Sequence, residues 1–149
     1  MRLTPLIAAT TLALIPVIVH AQSVKDAVEA RAGFMTMLSI NMGQLSAMAK
    51  GETDYDKAAA SRAAENILAL TGYDAAALFV EGSSSDDIDS EALPAIWQNP
   101  DDFRAKFAAL GEAATGAPDA VKGGQANLGP VLQKLGGACK ACHDDYRKP

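Results

Sequence analysis

Two cysteines and a histidine near the C-terminus carry the clearest chemical signal in this sequence. Cys139, Cys142 and His143 stand in the run Cys-Lys-Ala-Cys-His, which is the attachment motif of c-type haem. On a helix, residues three and four positions apart share a face, so both thiols can reach the vinyl groups along one haem edge. The motif therefore predicts covalent haem c, with two thioether bonds and the imidazole of His143 as an axial iron ligand.

Zinc binding, thiol redox chemistry and a simple disulfide are the competing interpretations of the same residues. A structural zinc site needs four N or S ligands, whereas the chain has two cysteines and two histidines, one of which, His20, lies in the N-terminal segment discussed next. A thioredoxin-like dithiol would lie near a βαβ pattern, and the sequence has none. A disulfide would need only the two cysteines. The motif favours haem over all three.

The N-terminus has the pattern of a secretory signal peptide. Arg2 provides a positive charge, residues 6–19 are almost continuously apolar, and small or modest residues precede a predicted cleavage point after Ala21. A membrane anchor is the alternative, but the apolar run is about 14 residues long, whereas a span needs about 20. We expect residues 1–21 to be removed and residues 22–149 to form an exported protein that has no membrane contact.

Length, composition and charge restrict the class of the mature protein. A chain of 149 residues fits one domain, and 49% hydrophobic residues exclude a disordered chain. The 13 Lys and Arg against 18 Asp and Glu give a formal net charge of −5. This charge argues against nucleic-acid binding, which needs a basic surface. Only 5% of the residues are aromatic, so a haem would supply bulky apolar material that the side chains lack.

The first half of the mature chain has the periodicity of two amphipathic helices. Apolar residues recur every three or four positions over 24–49 and predict a long helix that ends at Gly51, with Arg31 interrupting its apolar stripe. The stripe consists of Val24, Val28, Arg31, Met35, Leu38, Met42, Leu45 and Ala49. A second helix is predicted to begin with an N-cap at Asp54 and to stop at Gly72.

The second half is predicted to contain a long connection and two further helices. Residues 81–98 are rich in Ser, Asp and Gly, which indicates a surface connection with one short helix near its end. Asn99 and Pro100 predict the N-cap and first position of a third helix that ends before Gly116. The last segment, 119–146, has glycines and a proline that make its first half irregular. Four such segments predict an all-α antiparallel four-helix bundle.

The mature sequence resembles the cytochrome c′ family, the class II c-type cytochromes, over nearly its whole length. The residues that carry the resemblance are Glu29-Ala30-Arg31, Tyr55-Asp56, Ala95-Ile96-Trp97 and the run LGGACKACHDDYR from Leu135 to Arg147. Members of this family are periplasmic four-helix bundles with one haem c attached near the C-terminus. The resemblance also implies a homodimer formed through the first two helices.

Three further site residues follow from this resemblance. Arg31 would lie near a haem propionate, since a charge at a core-facing position needs a partner; the alternative is a cation at the bundle edge with its charged end in water. Arg147 would lie beside the proximal histidine, unless it is an exposed cation at the C-terminus of the helix. Met35 would face the distal side of the haem, where family members usually have a residue that cannot bind iron.

The choice of sixth ligand separates the possible functions. Because His143 is the only histidine after the predicted cleavage point, the sixth ligand within a monomer is a methionine or none. With Met35 unbound, the iron is mostly five-coordinate and serves one-electron transfer, binding of NO or CO, or both. With Met35 bound, the protein is a low-spin electron carrier. A haem enzyme acting on NO or peroxide is less favoured because no acid–base histidine is at hand, and the sequence does not identify a redox partner protein.

Overall fold

The computed structural model describes residues 17–149, with side chains from residue 23 onwards. Its helices are α1 (Val17–Lys50), α2 (Lys57–Thr71), α3 (Ala95–Gln98), α4 (Pro100–Ala114), α5 (Ala117–Ala120) and α6 (Leu128–Tyr146), with 3-10 turns at Ala75–Leu78, Val121–Gly123 and Gln125–Asn127. Of the long helices, α1 and α4 each pack against both α2 and α6. The predicted all-α four-helix bundle is confirmed.

Most of the predicted signal peptide, residues 1–21, lies outside the described residues. Only its last five positions, 17–21, belong to the described backbone, where they form the start of α1. Its cleavage therefore stays a prediction. Among the helices of residues 17–149, none has the length and apolar character needed to cross a membrane.

The predicted C-terminal ends of the first two helices are correct, whereas α1 begins at Val17, before the predicted range, and one predicted N-cap is wrong. α1 stops where Gly51 adopts a φ of +73°, a left-handed conformation that glycine tolerates best. The predicted N-cap Asp54 is wrong, because Asp56 holds that position and its Oδ1 accepts a 2.6 Å hydrogen bond from the Ala59 N–H. Asp56 is the cap because α2 begins at Lys57, so the Ala59 N–H, at the third helical position, has no acceptor within the helix. Gly72 closes α2, as expected.

The later helices follow the predicted boundaries closely. Pro100 is the first residue of α4, and Asn99 precedes it at the N-cap position. The side chain of Asn99 donates to the Ala95 carbonyl at 3.2 Å and does not cap α4. α4 ends before Gly116, whose φ is +80°. The predicted irregular stretch is confirmed up to Asn127, where one short helix and two 3-10 turns precede α6. Gly129 and Pro130 were predicted to extend it, but they lie in the first turn of α6, where a proline lacks no intrahelical hydrogen bond.

The buried face of α1 is wider than the predicted stripe. Phe34, Asn41 and Met48 are buried although they lie off that stripe, whereas Met35 and Met42 on the stripe are only half-buried. The cause is that α1 has two packed sides. One side packs against α2, and the other side lines a cavity. A prediction that assumes one apolar stripe cannot distinguish these two sides.

The predicted surface connection over 81–98 is only partly at the surface. The short helix near its end is confirmed as α3, but Ser83 and Ser84 are buried. Their hydroxyls are satisfied locally: Ser83 Oγ donates to the Val80 carbonyl at 2.6 Å, and Ser84 Oγ donates to an Asp87 carboxylate oxygen at 2.6 Å. Local hydrogen bonds therefore allow this polar segment to enter the interior.

Candidate haem site

A cavity of about 790 Å³ lies between α1, α4 and α6. The structure brings all six predicted site residues to its wall, namely Arg31, Met35, Cys139, Cys142, His143 and Arg147. Its volume falls within the range of about 300–1,000 Å³ that is typical of small-molecule and cofactor sites. The bundle therefore joins residues from both ends of the mature chain at one site.

Both cysteines are half-buried free thiols on the cavity side of α6. Burial raises the pKa of the Cys139 thiol, and it raises the pKa of the Cys142 thiol to about 11. Both groups are therefore protonated at neutral pH, so neither is an activated thiolate of the kind that thiol redox chemistry uses. In the described part of the chain, no group of three or more His, Cys, Asp or Glu side chains is placed to hold a metal ion.

His143 lies directly after Cys142 on α6 and lines the cavity. Partial desolvation of the imidazole, and secondly the charge of Arg147, lower the pKa of His143. The neutral imidazole, which is the form that binds metals, is thereby favoured. Arg147 lies one helical turn after His143, since its backbone N–H donates to the His143 carbonyl at 3.2 Å.

The guanidinium of Arg147 is also an exposed cation, as the alternative interpretation expected. Its Nε donates to Glu91 Oε2 at 2.7 Å, and the two side chains are 50% and 67% exposed. An ion pair in water contributes little stability, typically below about 1 kcal/mol. The pair therefore orients Arg147 more than it stabilises the fold.

Arg31 is a buried cation whose described partners are all uncharged. It is 6% exposed; its guanidinium donates to Ser83 Oγ at 2.8 Å, to the Ser83 carbonyl at 2.6 Å and to Ser90 Oγ at 2.5 Å. The guanidinium carbon lies 4.9 Å from the centroid of the Phe79 ring, within the range of a cation–π contact. Desolvation lowers the pKa of Arg31.

Hydroxyl and carbonyl dipoles satisfy the hydrogen bonds of Arg31 but do not neutralise its charge. Among the residues of the described chain, no carboxylate forms an ion pair with it. Burying an unpaired charge is costly. An anionic group entering the cavity near Arg31 would remove that cost, and a haem carries two carboxylates.

The α1 wall of the cavity is otherwise free of ionisable groups. Its lining residues are Val28, Arg31, Ala32, Met35, Thr36, Leu38, Ser39 and Met42. The hydroxyl of Thr36 is engaged, because its Oγ1 donates to the Ala32 carbonyl at 2.8 Å. The cavity is therefore chemically two-sided, with cysteines and imidazole on α6 and a largely apolar surface on α1.

The wall contributed by α6 leaves space for a flat ring. Gly136 lines the cavity, and a Cβ added there would meet no atom within 4 Å. Glycine inside a helix costs about 1 kcal/mol relative to alanine. Glycine at this position, three residues before Cys139, therefore lowers the stability of the helix but leaves the cavity open. The thiols, the imidazole, the unneutralised Arg31 and this open surface together fit a covalently attached haem.

Contacts between α4 and α6 hold α6 in place. Tyr146 Oη donates to Asp102 Oδ2 at 2.6 Å, which raises the pKa of Tyr146 to about 12. The Tyr146 ring packs edge-on against Phe103, with centroids 5.3 Å apart. Lys106 Nζ lies 3.0 Å from Asp145 Oδ2. These contacts join residues about 40 positions apart (44 for Tyr146 and Asp102), so helical periodicity could not predict them.

Comparison with known proteins gives a consistent result. A sequence model of the family described as Cytochrome C′ matches residues 26–147. Cytochrome c′ of Cereibacter sphaeroides is 42% identical over 140 residues, which cover 93% of this chain and 94% of that protein. Cytochrome c-554 of the same organism is 40% identical over 151 residues, covering 99% of both chains.

Solved structures agree with the sequence comparison. A cytochrome c′ from Rhodobacter sphaeroides has a TM-score of 0.80 at 43% identity, over 84% of this chain and 97% of that one. Another cytochrome c′, described as showing an unusual ligand-controlled dimer dissociation, has a TM-score of 0.76 at 25% identity, over 85% and 97%. With this match and the cavity geometry together, the chain belongs to the cytochrome c′ family, the four-helix-bundle cytochromes that carry one covalently bound haem c.

Proposed function

We propose that the protein transfers single electrons and binds NO or CO in the periplasm, with an iron that is mostly five-coordinate. The observation that carries this proposal is the α1 wall of the cavity, where Arg31 is the one ionisable lining residue. Haem c, when bound, supplies a one-electron redox centre and an iron that can take a diatomic gas. Export rests on the N-terminal sequence pattern, and the periplasm is what the resemblance to the family implies.

The residues of α6 have the task of fixing the cofactor. Cys139 and Cys142 form the thioether bonds, and His143 presents a neutral imidazole to the iron. Arg147 follows one turn later and helps to keep that imidazole neutral. On the opposite side of the site, Arg31 faces a propionate and supplies the positive charge that the carboxylate needs.

The residues of α1 have the task of selecting ligands. Val28, Leu38 and Met42 give the wall an apolar surface. Transfer of an ion from water to such a surface is costly, whereas a small neutral gas loses little hydration. The wall also lacks a histidine that could donate a hydrogen bond to bound dioxygen or act in acid–base catalysis. We therefore propose a carrier and gas-binding protein rather than an enzyme acting on NO or peroxide.

A low-spin electron carrier is the alternative, and the position of Met35 is the observation that favours it. Met35 is half-buried, lines the cavity and lies one turn after Arg31 on α1. A thioether is an accepted axial ligand of haem iron and raises its potential. The same side chain can equally fill space beside an open iron, as methionine does in many cores.

Titration of the reduced holoprotein with CO tests the proposed gas binding. We expect saturable binding of one CO per haem, because the proposed five-coordinate iron has a free sixth position. Absorption spectra recorded against CO concentration measure both stoichiometry and affinity. A reduced spectrum that CO does not alter would contradict the proposal and favour bound Met35.

We also propose that the protein is a homodimer through α1 and α2. In the described part of the chain, the exposed large hydrophobic residues all lie on these helices or at their end: Met37 (47% exposed), Ile40 (55%), Leu68 (37%) and Tyr73 (56%). A groove of about 640 Å³ runs between the two helices at this patch. Such concentrated apolar exposure is typical of an interaction surface, and a related cytochrome c′ is described as a dissociating dimer.

Substituting Ile40→Glu tests the proposed dimer. In a two-fold interface the substitution places two carboxylates in the apolar contact, so we expect the dimer dissociation constant to rise at least about tenfold, or about 1.4 kcal/mol. Sedimentation velocity over a concentration series measures the constant. Gln133→Glu adds the same negative charge at an exposed position of α6. It is the control and should leave the dissociation constant unchanged. An Ile40→Glu variant that sediments as the unmodified protein does would refute this interface.

A further inference from the structure

Ser90 lies between the buried Arg31 of α1 and the C-terminal residues that follow His143. Its Oγ accepts a 2.5 Å hydrogen bond from Arg31 Nη2 and a 3.0 Å hydrogen bond from the Ala92 N–H. One hydroxyl oxygen therefore joins the guanidinium to the backbone of the connection between α2 and α3. Both acceptor lone pairs of this oxygen are used.

The backbone around Ala92 is in turn fixed to the segment after the haem-binding motif. Ala92 forms an antiparallel bridge with Arg147, four residues beyond His143. The Leu93 N–H donates to the Tyr146 carbonyl at 3.0 Å, and the Lys148 N–H donates to the Glu91 carbonyl at 2.8 Å. The connection thus contacts the α1 side of the site through Arg31 and the α6 side through these backbone hydrogen bonds.

We propose that Ser90 is a positioning residue for Arg31, and that Ser83 and Ser90 together form a clasp that holds the guanidinium at the cavity wall. This inference rests on the proposed placement of Arg31 near a haem propionate. Ser83 is the second contact of the clasp, through both its hydroxyl and its carbonyl. The clasp determines where the positive charge of Arg31 acts.

The chemistry of the clasp suits this task. An arginine has five N–H donors, and the three bonds to Ser83 and Ser90 leave two of them for an anion. Because the acceptors of the clasp are neutral, they orient the side chain without cancelling its charge. A carboxylate at position 90 would have oriented Arg31 equally well, but it would have competed with the propionate for the charge.

The midpoint potential of the holoprotein measures the action of Arg31 directly. A nearby positive charge favours the reduced iron, so Arg31→Gln should lower the potential. Ser90→Ala should lower it in the same direction, with the equilibrium constant for reduction falling about threefold, or about 30 mV at 59 mV per tenfold change for one electron. The double variant should match Arg31→Gln alone, because residues that act through one contact are not additive.

Two controls separate positioning from a general loosening of the connection. Ser84→Ala changes a buried serine of the same segment that bonds Asp86 and Asp87 and does not contact Arg31, so the potential should not move. Ser90→Thr keeps the hydroxyl and should restore the original value. Ser83→Ala removes the bond to Nη1 and provides a second variant of the clasp should Ser90→Ala fold poorly.

The outcomes distinguish this inference from the function on which it rests. If Arg31→Gln lowers the potential but Ser90→Ala and Ser83→Ala do not, the clasp is refuted while the propionate placement stands. Additive shifts in the double variant would equally refute the clasp. If Arg31→Gln leaves the potential unchanged, the proposed placement of Arg31 is itself refuted.

Discussion

Replacing Cys139 and Cys142 together by alanine is expected to abolish covalent haem. Without the two thioether bonds, the cofactor would be held by the single His143 imidazole and by contacts in the cavity, which unfolding removes. Extraction of denatured protein into acidic organic solvent should then release all the haem from this variant and none from the unmodified protein. The intact mass of the unmodified protein should exceed that of the polypeptide by one haem.

Single variants and a neighbouring control sharpen this test. Cys139→Ala and Cys142→Ala each keep one thioether and should retain haem after denaturation, with weaker attachment. Lys140→Ala changes an exposed residue of the same turn, whose partner is Asp144, and should behave as the unmodified protein does. Haem that extracts freely from the unmodified protein, or that stays bound to the double variant, would contradict thioether attachment.

Replacing Met35 by alanine is expected to accelerate CO binding at least about tenfold, which corresponds to about 1.4 kcal/mol of activation free energy. Arg31 and Met35 are four residues apart and share a face of α1. If Arg31 reaches a propionate, the Met35 side chain covers the ring near the iron. An incoming gas must then displace that side chain, and truncation removes the obstacle. Flash photolysis of the CO complex measures the rate.

A second methionine on the same wall is the matched control. Met42 is also half-buried and lines the cavity, but it lies two turns further along α1. Met42→Ala should therefore change the CO rate much less than Met35→Ala does, although it creates a similar space. The resting spectrum should stay nearly unchanged in both variants. Conversion of a low-spin to a high-spin spectrum by Met35→Ala would show that the thioether was bound.

The parts of the site that sequence could predict are those encoded within a few residues. Cys139, Cys142 and His143 lie within about one helical turn, so their spacing alone fixes their common face. Gly51 and Gly72 end their helices through local backbone conformation, and that signal is also local. The N-cap of α2 was misplaced by two residues because Asp54 and Asp56 are both suitable caps, and only the free N–H of Ala59 distinguishes them.

The parts that sequence could not predict depend on tertiary contacts. Ser83 and Ser90 contact Arg31 across 52 and 59 residues, from a segment whose composition indicates a solvated loop. Asn41 is buried off the predicted stripe because it accepts a 3.0 Å hydrogen bond from Asn66 of α2. In each case a polar side chain forms a hydrogen bond with a distant partner, and the periodicity of the sequence does not identify that partner.

The spin state of the resting ferric protein tests the central claim most directly, because it reports whether the distal side of the iron is open. Absorption and electron paramagnetic resonance spectra of the purified protein at neutral pH supply the measurement. A five-coordinate iron bound by His143 alone predicts a mainly high-spin ferric spectrum that Met35→Ala leaves nearly unchanged. A low-spin resting spectrum that turns high-spin in Met35→Ala would contradict the account and assign Met35 as the sixth ligand.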